Sequence, residues 1–394
     1  MSVLTDVSAP AALPGGLTLP DRLVMAPMAV RGSDPETGHV TGSDLEYMGR
    51  RAGVAGLLIT GAASVCARGR ILRRQLAISD DSDVPGLALL AQAMKSAGGR
   101  AIVQLHHGGR EAAEGVRLTG AAEAPSSMGH LRRSGATQEM DPERIEEVAA
   151  AFGTATRRAL AAGFDGVEIH GAWHSLPQQF FSRRSNHRAD RWGGSEEGRL
   201  AFPLAVLDET LNAAAAADRP FAVGYRLSMD EVRSDSIGYT IADASALIHR
   251  LIGRGVDWID VASCSRFDAR PPSGPDAPFA PTGGRCASYG QIARRIAAGR
   301  CPVIVSSGVR TQADAERVLE EGHGDLVALG RAALVDPDFA TKIAAGRGDS
   351  IATSVEGRLH DLALPTGLID WYLGGDGAVL PALPGLRSYL VPSA

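Results

Sequence analysis

Eight short apolar runs recur along this chain, and all but the first lead plainly into a stretch with helical periodicity. The runs span residues 22–29, 56–65, 100–107, 166–171, 221–228, 258–263, 302–308 and 325–331. The helical patterns cover 85–97, 142–162, 200–217, a stretch from Ile241, 288–298, 311–321 and 337–345. Asp141 followed by Pro142 reads as an N-cap with proline at the first helical position. Such alternation makes a parallel sheet flanked by helices. Eight units favour a closed (βα)8 TIM barrel, with an open doubly wound sheet as the structural alternative.

Two stretches stand outside the repeat. A long aperiodic loop follows the third strand, over 108–138, and insertions of that length are usually functional. A tail rich in Gly, Pro and Leu begins at Asp349. The expected organisation is a barrel over 1–348 and a C-terminal extension over 349–394, which could wrap the barrel, cover its mouth or reach a second copy of the chain. The first sixteen residues read as a loose leader without a charged or apolar signal region.

Composition narrows the partner. With 40 basic and 45 acidic residues the net charge is −5, so neither a nucleic-acid footprint nor a polybasic membrane patch is present. No apolar run approaches the ~18 residues of a spanning helix, and the expected location is the cytoplasm. Cysteines at 66, 264, 286 and 301 are too widely spaced for a C-x-x-C motif, which argues against zinc and iron–sulfur centres; no metal site is expected. A small molecule is the expected partner.

Barrels place their chemistry at the C-terminal ends of their strands. His170 ends the fourth strand, and Arg226 is a charge inside the apolar run F-A-V-G-Y-R-L-S, costly to bury without an anionic partner. That partner is either a structural carboxylate or a ligand. Ser307 and Gly308 after strand seven, with Gly330 and Arg331 after strand eight, stand where barrels commonly hold phosphate. His39, His249 and His323 read as solvated, and Cys66 as a small buried thiol.

Four stretches carry a resemblance. They are A-P-M-A at 26–29, Q-L-H-H-G-G-R at 104–110, V-E-I-H-G-A-W-H-S-L-P-Q-Q-F from Val167, and S-N-H-R-A-D-R-W-G-G-S-E-E-G-R from Ser185. Over about residues 19–345 the chain resembles the Old Yellow Enzyme family, with Gly198 where that family's last run has Asn. The resemblance implies noncovalent FMN, NAD(P)H as reductant and a small organic acceptor such as an activated alkene. It implies that Ala26, Pro27, Met28 and Ala29 underlie the flavin ring, and that Ala62 touches its edge. Gln104 would bond the pyrimidine edge, Arg226 would face N1, and Ser307, Gly308, Gly330 and Arg331 would hold the phosphate.

The acceptor side departs from the family. Relatives pair His with His or Asn three residues on and place Tyr two further; here those positions hold His170, Trp173 and Ser175, with His174 beside the second. Polarising an enone with one donor instead of two would cost roughly 2–4 kcal/mol of transition-state stabilisation. Two other functions remain open. One is an FMN-dependent amine or alcohol dehydrogenase or N-demethylase without the iron–sulfur segment; the other is a barrel that binds flavin or ligand without turnover. The family's frequent oligomers make the tail a candidate for contacts in a homo-oligomer.

Overall fold

The computed structural model describes residues 6–128, 137–233, 236–262, 266–271, 287–374 and 383–386. Part of the insertion (129–136), Ser263, Cys264, Cys286 and the tail segments 375–382 and 387–394 lie outside the described residues. Eight parallel strands close into a barrel: β1 Leu23–Met25, β2 Leu57–Ile59, β3 Arg100–His106, β4 Gly166–Gly171, β5 Ala222–Leu227, β6 Trp258–Val261, β7 Val303–Val305 and β8 Leu326–Leu329. Pairing of Val327 with Leu23 and Leu329 with Met25 closes the ring between β8 and β1. All eight fall within the predicted runs.

The outer helices are α1 Gly42–Arg50, α2 Val84–Lys95, α3 Pro142–Ala161, α4 Glu196–Ala214, α5 Ile241–Arg254, α6 Tyr289–Ala297, α7 Gln312–Glu320 and α8 Phe339–Ala344. Asp141 caps α3 as its sequence indicates, accepting the Arg144 N–H at 2.8 Å. The sequence analysis predicts no helix at α1, although Thr41 and Asp44 form a capping box at its start. Helix α4 begins at Glu196 rather than near Leu200, since Ser195 Oγ accepts the Gly198 N–H at 3.0 Å. The segment predicted as one helix over 337–345 begins only at Phe339, and a separate turn, Arg331–Val335, precedes Pro337.

Three further expectations change. The leader is ordered from Asp6: Ala11–Ala12 pairs with Thr18–Leu19, and Leu13, Leu17 and Leu19 pack with Val24, Ile102, Ala222 and Leu326 inside the barrel. The second run is two strand pieces, Leu57–Ile59 and Ala63–Ser64, both paired with β3. At the break, a Cβ on Gly61 would lie 2.4 Å from Met28 O, so the chain passes too close for a side chain. His323 is buried rather than solvated, with Nδ1 2.7 Å from Ser288 Oγ and Nε2 2.9 Å from Glu321.

The run from Ser185 is a clamp. Arg188 donates to Pro125 O (2.9 Å), Met140 O (2.6 Å) and Asp190 (2.6 Å), fixing the insertion at Pro125 and the chain just beyond it at Met140. Asn186 donates to Phe180 O and Trp192 O, each at 2.7 Å. Gly198 departs from the family pattern where a Cβ would sit 2.1 Å from Gly193 O.

The barrel interior changes character along its axis. Its lower part is apolar, whereas Gln104, Glu168, Arg226 and Asp260 are buried higher up. Glu168, Gly224 and Trp258 stand in register, and the missing side chain of Gly224 makes room for the indole. A Cβ there would lie 1.9 Å from Trp258 Cε2. Gly224→Ala is therefore expected to lower stability by about 1–3 kcal/mol through overpacking. An unchanged denaturant midpoint would show that the indole yields freely.

Candidate active site

The C-terminal mouth of the barrel holds a cavity of about 280 Å³. Strand β1 delivers Ala26, Pro27 and Met28 to it, β5 delivers Arg226, and β8 delivers Ala328, Gly330 and Arg331. Pro27 carries no N–H and follows the last ladder bond, Ala26 N–H to Leu329 O at 3.0 Å. The segment after β7 adds Ser306, Ser307, Gly308 and Arg310. Ser307 (φ 84°) and Gly308 (φ 82°) are both left-handed, and a serine held there carries backbone strain. Trp173 and, from the tail, Tyr372 complete the lining.

Beneath the cavity lies a buried charge cluster. Arg226 Nε is 3.2 Å from Asp260 Oδ2. Glu168 accepts Gln104 Nε2–H and Trp258 Nε1–H, each at 2.8 Å. Burial, then the Asp260 charge, pushes the Glu168 carboxyl up to about 8, against Arg226 and the two donors. Burial also raises Asp260, opposed by Arg226. Burial thus favours the protonated form of both carboxyls while Arg226 favours the charged one, and Arg226 retains donors for the cavity it lines. Arg226 has the structural partner that its sequence position required, and it still reaches the mouth.

The loop after β4 separates this cavity from a second, of about 440 Å³, and Trp173 lines both. Trp173 (φ 53°) and His174 (φ 62°) are consecutive left-handed residues, which turns the exposed indole over the mouth. His174 faces the second cavity, its Nδ1 3.6 Å from Glu231 and its Nε2 3.1 Å from Arg233. Ser175 is buried and donates its hydroxyl to His170 O at 2.6 Å. His170 stands in register with Arg226 and packs edge-on against His106, ring centroids 5.1 Å apart. Its Nδ1 accepts the Ala172 N–H at 3.3 Å, so the ring proton sits on Nε2. Burial, His106 and the Arg226 charge hold its pKa well below the usual value.

The structure thus gathers Ala26, Pro27, Met28, Arg226, Ser307, Gly308, Gly330, Arg331 and Trp173 around one cavity. Gln104 lies in the floor, bound to Glu168, while Ala29 and Ala62 line a separate cavity of about 30 Å³. Sequence reasoning passed over Glu168 and Asp260, although a carboxylate inside V-E-I or W-I-D-V is the same signal that singled out Arg226. Tyr372 reaches the site from the tail, and no local pattern announces that.

A family described as "NADH:flavin oxidoreductase / NADH oxidase family" matches residues 10–350. The chain belongs to this family. Similar proteins include the "Probable NADH-dependent flavin oxidoreductase YqiG" of Bacillus subtilis, 38% identical over 87% of this chain and 88% of that protein. The "NADH:fumarate oxidoreductase" of Klebsiella pneumoniae is 38% identical over 86% of this chain, which spans only 36% of that protein. Among solved structures, morphinone reductase in complex with tetrahydroNAD aligns with a TM-score of 0.72 at 25% identity, covering 87% of this chain and 91% of that one.

This flavin oxidoreductase is of the Old Yellow Enzyme type, uses FMN with NAD(P)H as reductant, and has the expected closed barrel. The mouth suits that cofactor. Arg226 offers positive charge beside the apolar strand end Ala26–Met28, as an electron-rich ring edge requires. At the other side Arg310 and Arg331 join Ser307 and Gly308, a donor set matched to a phosphate dianion. Gly330 leaves the cradle open, since a Cβ there would meet nothing nearer than Met28 Sδ at 4.0 Å. Among the described residues no helix is long and apolar enough to cross a membrane.

Proposed function

We propose that the cavity at the barrel mouth holds FMN and that the cavity across Trp173 receives the acceptor, a small alkene activated by a carbonyl-type oxygen. When bound, FMN supplies hydride transfer, taking hydride from NAD(P)H and passing it to the acceptor. Arg226 balances the charge of the reduced ring, Gln104 and the backbone of Ala26–Met28 orient it, and Ser307, Gly308, Gly330, Arg310 and Arg331 hold the phosphate. His170 lines neither cavity and takes its role, donating Nε2–H to the acceptor oxygen, from its place at the end of β4 in register with Arg226, while Trp173 walls the acceptor in.

The observation that carries this reading is that Trp173 lines both cavities, so the space proposed for the acceptor directly adjoins the one whose lining suits the flavin. The phenol missing from the β4 loop has a counterpart across the second cavity: Tyr289, whose hydroxyl donates to Asp230 at 2.6 Å. Together with His174 of the loop it supplies proton-bearing groups at that cavity, whereas the Ser175 hydroxyl is turned to His170 O.

An anaerobic titration tests the reading. The purified holoenzyme is reduced with NADH or NADPH, 2-cyclohexen-1-one is added, and the flavin absorption band is followed. Rapid return of the oxidised spectrum is expected. Reduction without reoxidation would remove enones from the acceptor class.

A further inference from the structure

A second group of reactive side chains lies outside both cavities. Cys66 follows the strand piece Ala63–Ser64, and His107 follows β3. Glu123 comes from the strand Ala122–Ala124 of the insertion, and Arg144 from the first turn of α3. Four separate segments thus converge on the thiol of Cys66, a half-buried residue.

The surrounding charges favour an anion there. Glu123 accepts from Arg144 Nε at 2.7 Å and from Arg68 Nη1 at 3.0 Å, so two guanidiniums share one buried carboxylate. Arg144 Nη2 also lies 3.9 Å from Cys66 Sγ. Glu147, at the exposed edge, takes Arg144 Nη1 at 2.9 Å, where water screens it.

His107 supplies the second, independent indication. It is fully buried, and its Nδ1 accepts the Gly109 N–H at 3.0 Å, which places the ring proton on Nε2. That Nε2 lies 3.3 Å from Glu123 Oε2 and interacts with the Cys66 thiol beside it. A buried imidazole thus stands between the carboxylate and the sulfur.

We propose that Cys66 is a nucleophilic thiolate and a site of covalent modification by small soft electrophiles, activated alkenes in particular. His107 and Arg144 act on it as positioning residues. In the addition, a sulfur lone pair forms the C–S bond to the β-carbon and the alkene π pair moves to the α-carbon. A proton taken up there replaces the one the thiol released, so thiol and alkene combine without an oxidant. Burial and the Glu123 charge push the Cys66 thiol up, but His107 and Arg144 outweigh them and bring it below its ordinary value. Cys301 is the internal contrast: it is buried, and burial pushes its thiol up to about 11. The inference does not depend on the acceptor proposed above.

N-ethylmaleimide, itself an activated alkene, is the probe. Holoenzyme would be treated at pH 6.5 with less than one equivalent, and peptide mass mapping would locate the label among the four cysteines. Cys66 is expected to be labelled first, at least about tenfold faster than Cys301, with a rate whose midpoint lies below that of an ordinary thiol. Arg144→Met should slow labelling at pH 6.5 by about tenfold and restore it at pH 10, whereas a misfolded variant would label every cysteine at both. Cys66→Ser should remove the label and leave NADH-driven flavin reduction intact. Preferential labelling elsewhere, or a Cys66 rate that rises through an ordinary thiol midpoint near about 8.5, overturns the assignment.

Discussion

Arg226→Met is expected to yield a protein that purifies without flavin and unfolds more readily than the parent. Methionine keeps much of the volume, so the change reports the charge. In the parent, Arg226 Nε faces Asp260 Oδ2 at 3.2 Å while the same guanidinium lines the cavity above. Removing it leaves Asp260, 1% exposed, without its cation, and breaking a buried pair in this way costs about 3–5 kcal/mol.

The cost should depend on pH, with a definite sign. Without the guanidinium, the folded-state pKa values of Asp260 and Glu168 rise further above their unfolded values. As pH increases from the ordinary carboxylate range, the unfolded chain releases these protons first, so folded stability falls. Parent Glu168 already contributes that slope between its ordinary value and about 8. Denaturant midpoints at pH 5 and pH 8 should therefore differ more in Arg226→Met than in the parent. Normal flavin content with parental midpoints at both pH values would remove Arg226 from the cofactor site and from the floor.

The strands were legible because burial on both faces of a parallel barrel demands continuous apolar runs, and Gly166–Gly171 or Val303–Val305 can be little else. What escaped has physical causes. Helix α1 is announced by its capping box of Thr41 and Asp44, and periodicity does not see caps. The hairpin at Ala11–Leu19 is ordered because Leu13 and Leu17 plug the end of a barrel that exists only once the distant strands have closed. Within the site, residues on strand ends could be found by position, as with Arg226 and Gly308. Tyr372 could not, because its place depends on how the tail packs, with Leu362 and Leu368 buried and Arg31 4.8 Å over the Trp371 ring. The family run from Ser185 shows the reverse limit: its specificity as a pattern reflects a structural clamp, not contact with either cavity.

His170→Ala should separate catalysis from binding. Its ring lies beside Arg226, in register across β4 and β5, but no hydrogen bond joins it to the charge cluster of the floor, so flavin content and the fold should survive. Acceptor turnover should drop by about 10²–10³-fold, the usual consequence of deleting a donor that faces a developing oxyanion. The pH profile is the sharper test. Burial first, then His106 and the Arg226 charge, keep His170 neutral well below its ordinary pKa, and the Ala172 N–H at Nδ1 fixes the remaining proton on Nε2. A neutral N–H donor does not change state between pH 5 and 8. The parent's rate of reoxidation by 2-cyclohexen-1-one should therefore show no limb near 6.5 that disappears in the variant. Such a limb would mean that His170 works as an imidazolium, and the assignment of a neutral donor would fall. Unchanged reoxidation in the variant would instead transfer the acceptor's oxygen to His174 or Tyr289, the proton-bearing groups across the Trp173 wall.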